Sequence, residues 1–442
     1  MAGIAESVRN IWQVEELRDR ILYTFGLLAI YRFGTFVTLP GVDANALAEA
    51  GGAAGGAGSS ILGFLDMFVG GAFSQAGIFA LGIMPYITAS IIIQLMGAVV
   101  PYFQKLQRQG EEGRRKITQL TRYGTVGITA LQSVGYTINL QYGATGQAIV
   151  IGSTFFTIST VIVLTSGTVF VMWLGERISE NGIGNGISLI ITIGIIAFLP
   201  QGLFNEFSTN LNYNPFLLIL EMGVWALIVC GIVLVSQGMR RIPVQYAKRV
   251  VGRKVYGGTT QYLPLRVNAA GVMPIIFAQS IMFIPGTVAT FFPDSPWMQS
   301  IGAFFGDPSQ WGYAILFFFV VVGFTFFYTA ISVNPQEMAD TIKRQGGFIP
   351  GVKQGRQTRE FIDNILTRIT LPGSIFLGFV AILPTFAMML GVSQSFALFF
   401  GGTSLIILVQ VTLDTLQQVE SHLLMRHYDG FMKGSRVRGR KA

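Results

Sequence analysis

Ten apolar stretches, each close to the length of about 20 residues that a helix needs to cross a hydrocarbon layer, dominate this chain of 442 residues. They lie near 20–39, 76–97, 120–140, 151–174, 184–202, 215–237, 270–292, 312–332, 370–390 and 395–416. An even number of crossings puts both termini on one side, and the basic residues say which. Of the 30 lysines and arginines, 29 belong to one face of the membrane. The connections on the other face, 40–75, 141–150, 203–214, 293–311 and 391–394, contain none, although they carry Asp43, Glu49, Asp66, Glu206, Asp294 and Asp307. The positive-inside rule therefore predicts cytoplasmic termini. With 51% hydrophobic and only 12% charged residues, half the share of charge usual in a soluble domain, composition also excludes a disordered or collagen-like chain. The single cysteine, Cys230, lies in an apolar stretch where it serves packing and has no partner for an intrachain disulfide.

The stretch 8–20 before the first span is charged and amphipathic and lacks a small-residue cleavage site. It reads as neither a cleaved signal peptide nor an organelle transit sequence, and a bacterial plasma (inner) membrane is the expected address. Ten spans divide into two groups of five, and an odd number per group gives the groups opposite orientation. A long external connection after span one (40–75) is matched by a long cytoplasmic one after span six (238–269). That is the pattern of an inverted repeat, whose pathway lies between the halves. The expected organisation is a cytoplasmic segment 1–19, an N-terminal half 20–202, an external hinge connection 203–214, a C-terminal half 215–416 and a basic cytoplasmic tail 417–442.

An ion-coupled transporter keeps ionisable groups at membrane depth despite a cost of roughly 3 kcal/mol each. Here the spans hold only Arg32, with Glu221 and Asp414 near span ends. Arg32 suits a snorkelling cation, a hydrogen-bond donor between helices or a pathway residue. No ring of acids marks an ion filter. There is no GxxxxGK[ST] phosphate loop, and the GxGxG of Gly182, Gly184 and Gly186 lacks the strand that a nucleotide fold requires. His422 and His427 are five apart, a poor spacing for a metal pair on a helix. No nucleophile, acid and base cluster at one depth, so the chain reads as no enzyme, with no cofactor, and its energy must come from a partner.

Between a Gly/Ala-rich run and span two lies 61–73, an apolar stretch too short to cross: Ile61, Leu62, Phe64, Leu65, Met67 and Phe68 around one acid, Asp66, ending in Gly70 and Gly71. Segments of this length are re-entrant or lie on the surface, and the pattern fits both. Span two carries Ile83 and Ile87, four apart on one helical face, and span five carries Ile187 and Ile191 at the same spacing. With Ile276 in span seven and Ile407 in span ten they are candidates for a narrow apolar constriction that resists ions by dewetting. The same side chains also serve as lipid-facing or packing filler, and periodicity does not choose between the two.

The segments ALGIMPYITASIIIQL, QGEEGRRKITQLTRYGT, MWLGERISENGIGNGIS, RRIPVQYAKR, LPLRVNAAGVMPIIFA and GGTSLIILVQV occur in this order and on consistent sides of the membrane. Together they resemble the SecY family, the pore subunits of protein-conducting channels, over about residues 10–428. The resemblance implies an all-α polytopic membrane protein of ten transmembrane helices in two inverted five-helix halves around a central pore, with a short re-entrant plug helix. By position in the matching motifs, Ile83, Ile87, Ile187, Ile191, Ile276 and Ile407 correspond to the pore ring, and 61–73 to the plug. A lateral gate between spans two and seven, with three and eight alongside, would involve Ile91, Thr88, Asn185, Gln279 and Ser280. Asn185 equally suits the start of a helix in a glycine-rich turn. The implied partners are the small subunits SecE and SecG, the SecA motor, the ribosome, signal peptides and nascent membrane proteins.

The segment 238–268 carries Arg240, Arg241, Lys248, Arg249, Arg253, Lys254 and Arg266 and no acid. Interleaved with β-branched and aromatic residues, it reads as a protruding hairpin suited to RNA phosphates or an acidic protein. The net charge of +8 also favours anionic lipids. In the family this loop and 333–369 dock the ribosome and the motor. The second loop departs from the family pattern: Val352-Lys353-Gln354-Gly355 stands where relatives usually have Ile-Arg-Pro-Gly. Lysine keeps the charge without arginine's planar fork, and a turn without proline is less rigid. Arg356 is the candidate to supply the missing contact. The competing reading is a secondary transporter for an apolar solute, which tolerates a site without charges.

Overall fold

The computed structural model describes residues 12, 14–43, 45–47, 66–142, 149–150, 152–213, 215–246, 249–251, 254–256, 260–290, 295–306 and 310–434. In chain order the elements are α1 (Glu15–Gly34), α2 (Met84–Val99), α3 (Pro101–Arg108), α4 (Glu111–Tyr142), α5 (Ser153–Asn181), α6 (Gly186–Tyr213) and α7 (Pro215–Gln237). There follow β1 (Met239–Tyr246), β2 (Arg249–Val251), β3 (Lys254–Tyr256), β4 (Thr260–Arg266), α8 (Met273–Thr290), α9 (Pro296–Gly306), α10 (Trp311–Ser332) and α11 (Pro335–Arg344). The last are β5 (Gly347–Phe348), α12 (Arg356–Met389), α13 (Gln394–Ala397) and α14 (Gly402–Gly434). Among the described residues ten helices have 16 residues or more, and each overlaps one predicted span. Five of them, α5, α6, α7, α10 and α12, are apolar and long enough to cross on composition alone.

Several boundaries differ from the sequence expectation for local physical reasons. Span two was expected from residue 76, yet 72–83 form a chain of turns and the helix starts at Met84, with Pro85 in its first turn. Ala76 and Gly82 hold positive φ there, 46° and 52°, which a helix does not accommodate. Its far end bends by 101° into α3 at Val100, which is extended ahead of Pro101. Span ten begins at Gly402 instead of 395, because a Cβ on Gly401 would stand 2.7 Å from that of Leu383 and Gly402 itself holds φ 66°. The expected external connection 203–214 is helical to Tyr213, so α6 and α7 are separated by residue 214 alone.

Contacts divide the chain into two compact units. The first comprises Met1–Gln201, Gly286–Gly302 and Val411–Ala442, the second Gly202–Pro285 and Ala303–Gln410. A core of the first unit gathers Leu39, Leu47, Ala76, Ala80, Tyr136, Leu140, Phe156 and Leu164. On α4, five buried hydroxyls (Thr121, Thr125, Thr129, Ser133, Thr137) each donate to the carbonyl four residues back, at 2.7 to 3.0 Å. A polar ladder thus crosses apolar surroundings with its groups satisfied by its own helix. In the second unit a separate small core, Ile242, Val244, Leu265, Ile342, Ile349, Ile362 and Leu366, lies under a three-stranded sheet of order β4-β1-β5. Away from this core, in the same unit, the buried carboxylate of Glu206 accepts from the Ser393 hydroxyl and, at 3.1 Å, from the Ser393 N–H.

Candidate functional site

The residues singled out by sequence fall into three places, and the first is the root of the short apolar segment. Ile61, Leu62, Phe64 and Leu65 lie outside the described residues. From Asp66 the chain makes one helical turn (66–69) and then reverses at Gly70 and Gly71, whose φ of 75° and 94° only glycine adopts without strain. Asp66 closes that reversal: its carboxylate accepts the N–H groups of Phe73 and Ser74, both at 2.9 Å, and the Ser74 hydroxyl at 2.6 Å. Burial pushes this carboxyl above the ordinary range, against the pull of Ser74 and the Phe73 N–H. Met67, Phe68 and Val69 are buried.

The first unit grips this root by its backbone. From α1, the Tyr31 hydroxyl donates to the Val69 carbonyl at 3.1 Å, and the Arg32 guanidinium donates to the carbonyl of Gly70. Tyr31 is itself fixed by stacking on Phe79, with ring centroids 6.0 Å apart, and Arg32 lies 4.8 Å over the Phe36 ring. From α4, Tyr136 donates to the Phe73 carbonyl at 2.7 Å and meets the Phe73 ring edge-on. From α6, Gly194 lies so close that a Cβ there would stand 2.6 Å from the Phe68 carbonyl oxygen and 3.1 Å from the Gly70 nitrogen. Sequence reasoning missed Tyr31, Tyr136 and Gly194. For Arg32 it left three roles open, of which the structure selects hydrogen bonding, to a loop carbonyl instead of a neighbouring helix.

The second place is the set of isoleucines. Ile83 stands at the N-cap of α2 and accepts the Ile87 N–H at 3.2 Å, so the two share one turn, and both are buried. Ile187, half-buried, and Ile191, buried, lie one turn apart on α6. Ile276 on α8 and Ile407 on α14 are buried in the second unit. Among the gate candidates, Ile91, Thr88, Gln279 and Ser280 are buried. The Thr88 hydroxyl donates to the Met84 carbonyl at 3.1 Å and Ser280 to the Ile276 carbonyl at 2.9 Å, each within its own helix. Asn185 is exposed and accepts the N–H groups of Ile187 and Ser188 at 3.1 and 3.2 Å, so it caps α6.

The third place is the three-stranded sheet of the second unit. β1 pairs antiparallel with β4 from Met239 opposite Arg266 to Gln245 opposite Thr260, and Gln245 and Tyr246 pair with Phe348 and Gly347 of β5. Two loops that sequence treated separately are therefore one sheet. Ile242 and Val244 alternate into the small core while Arg240 and Arg241 are exposed. Arg249 and Lys254 sit on the outer hairpin β2-β3; Lys248 and Arg253 lie outside the described residues. In the divergent turn Lys353 is exposed, and Gln354 donates to the Gly347 carbonyl at 2.9 Å. The turn expected to be less rigid without proline is thus tied to β5 by the residue that replaced it. Arg356, also exposed, pairs with Glu360 at 2.9 Å.

Among the described residues no group of three or more His, Cys, Asp or Glu side chains could hold a metal ion. The comparisons with known proteins agree with one another. The family model of SecY matches residues 77–416. The chain is 43% identical to the protein translocase subunit SecY of Streptomyces coelicolor, over 96% of this chain and 98% of that one. It is 42% identical to that of Mycobacterium tuberculosis, over 98% and 100%. Among solved structures, a protein-conducting channel matches with a TM-score of 0.62 at 17% identity, covering 91% of both chains. Sec61 from the canine ribosome-channel complex matches with a TM-score of 0.61 at 15% identity, also over 91% of both.

Proposed function

The chain belongs to the SecY family, and from that premise we propose that it is the central pore subunit of a protein-conducting channel. It is a multi-pass membrane protein and a translocation subunit, not an enzyme. In this reading it passes unfolded, signal-bearing polypeptides across the bacterial inner membrane and releases transmembrane helices into lipid, with both termini cytoplasmic. The full-length likeness to translocase subunits leaves the transporter for an apolar solute without support.

The observation that supports this mechanism is that the apolar spans hold hardly any ionisable groups, where an ion-coupled transporter would present them. A conduit for every side-chain type needs a yielding collar that binds none of them. Ile83, Ile87, Ile187, Ile191, Ile276 and Ile407 supply such a collar, and water leaves a narrow aliphatic passage, so ions are refused. The segment 61–73, including Asp66, Met67 and Phe68, is the plug on the external side. Spans two and seven form the lateral gate with Ile91, Thr88, Asn185, Gln279 and Ser280. The division into halves at 20–202 and 215–416 gives each its share of the collar.

Energy comes from partners. Arg240, Arg241, Lys248, Arg249, Arg253 and Lys254 present unopposed cationic charge to ribosomal RNA or to the SecA motor, with Lys353 and Arg356 on the adjoining turn. Sec61 itself is known from a ribosome-channel complex, which supports the ribosome as a partner. SecE and SecG are the expected small companions, and anionic lipids suit the net charge of +8.

The test is photocrosslinking of a translocation-arrested chain to a probe at Ile276, with Ile315 of α10, 54% exposed, as the comparison position. Strong capture at Ile276 that depends on SecA or the ribosome is expected. Equal capture at both positions would reject the collar.

A further inference from the structure

Four residues of the first unit that no motif singles out converge on the backbone of 68–73. Tyr31 and Arg32 approach from α1, Tyr136 from α4 and Gly194 from α6. Every polar contact they make is to a main-chain carbonyl: Val69, Gly70 and Phe73 in turn. Gly194 adds backbone laid on backbone, because its lack of a side chain is what lets the Phe68 carbonyl and the Gly70 nitrogen come so near. Gly82 also comes close, but to a side chain: a Cβ there would stand 3.0 Å from a methyl of Val69.

We propose that Tyr31, Arg32, Tyr136 and Gly194 form a seat that holds the plug root by its backbone and sets the balance between closed and open channel. The inference rests on reading 61–73 as the plug. Its physics is the asymmetry of buried hydrogen bonds, where a made bond gains little but an abandoned donor costs its full desolvation. When the root leaves, two tyrosine hydroxyls and a guanidinium lose their acceptors together. The closed state is favoured by what departure would strand. The polar part of the seat reads carbonyls, while the turn itself depends on Asp66, Gly70 and Gly71, and Phe73 gives Tyr136 a ring to pack on. Asp66 completes the device from the plug's side by keeping 66–74 folded as one unit with its carbonyls presented outward.

The experiment measures ion leak through proteoliposomes holding the whole purified channel complex, with transport of a substrate bearing a defective signal sequence as the second readout. The variants are Arg32→Met, Tyr136→Phe and Gly194→Ala, each alone and in a background lacking 61–73. Losing the charge-assisted bond of Arg32 is expected to raise the open fraction roughly tenfold or more. Gly194→Ala should act similarly by steric displacement, Tyr136→Phe more weakly, and Arg32→Lys should restore part of the closed state. In the plug-deleted background none of the three should add to the leak, since the residues then have nothing to hold. Normal tightness in the point variants beside a leaky deletion would overturn the seat. So would equal effects with and without the plug, which would place these residues' role elsewhere. A deletion that leaves the leak unchanged would instead overturn the plug reading itself.

Discussion

The stretch 66–74, proposed as the plug root, and the sheet β4-β1-β5 are built in opposite ways. At the root, buried donors of α1 and α4 address main-chain carbonyls, and specificity comes from where the backbone passes. On the sheet, exposed Arg240 and Arg241 stand on a strand whose alternate residues, Ile242 and Val244, fill a small core. In the proposed reading the root lets go when the channel opens, and it is held by a few groups of α1, α4 and α6. In the same reading the sheet transmits force from a partner, and its charges are mounted on packed aliphatic side chains.

The largest effect expected is on the rigid side. Ile242→Ala removes a fully engaged core residue and should cost about 2–5 kcal/mol, read as protease sensitivity of 238–269 and loss of motor or ribosome binding. A loop that stayed resistant would break the contrast. Next, Ile407→Asn or Ile276→Asn puts an amide in the collar at a cost of about 1–3 kcal/mol to the closed state. Raised ion leak and passage of poorly recognised signal sequences are the readouts, and unchanged values for both would remove these residues from the pore. Arg240→Ala with Arg241→Ala should weaken ribosome binding and lower its salt slope by about 2, as expected for two lost phosphate contacts. A salt slope equal to the unmodified chain's would assign those arginines to something other than RNA.

Two smaller effects sharpen the comparison at the divergent turn. Gln354→Ala takes a donor from the Gly347 carbonyl and should destabilise the turn by about 1 kcal/mol, measured as faster amide exchange at Gly347 and Phe348. Arg356→Ala breaks only an exposed pair with Glu360, so its effect on stability should stay within about 0.5 kcal/mol. Its effect on motor-driven translocation then reports docking alone. Full activity in Arg356→Ala with loss in Lys353→Ala would reject the idea that Arg356 compensates for the replaced arginine.

Much of the fold was legible because a bilayer imposes it. An apolar length near 20 residues and a basic bias on one face are one-dimensional signals, and all ten long helices overlap the stretches they mark. The errors fell where local backbone geometry outweighs hydropathy. At 76–83 and 395–401 the residues are as apolar as a span, but positive φ, a proline or a glycine pressed against a neighbour stops the helix. Asn185 shows the same limit in one residue: its type suits a gate or a cap, and only the two amide contacts show that it caps α6.

The apolar helices, the membrane class and the basic loops were legible in the sequence alone, because each depends on what kinds of side chain occur and how they are spaced. Only the tertiary structure decided that β5 joins the loops 238–269 and 333–369 in one sheet, that Gln354 ties the divergent turn, and that Tyr31, Arg32, Tyr136 and Gly194 meet at one stretch of chain. In each of these the partner is a backbone amide or carbonyl. Every residue carries those groups, so no pattern of residue types can reveal which of them a distant side chain will find.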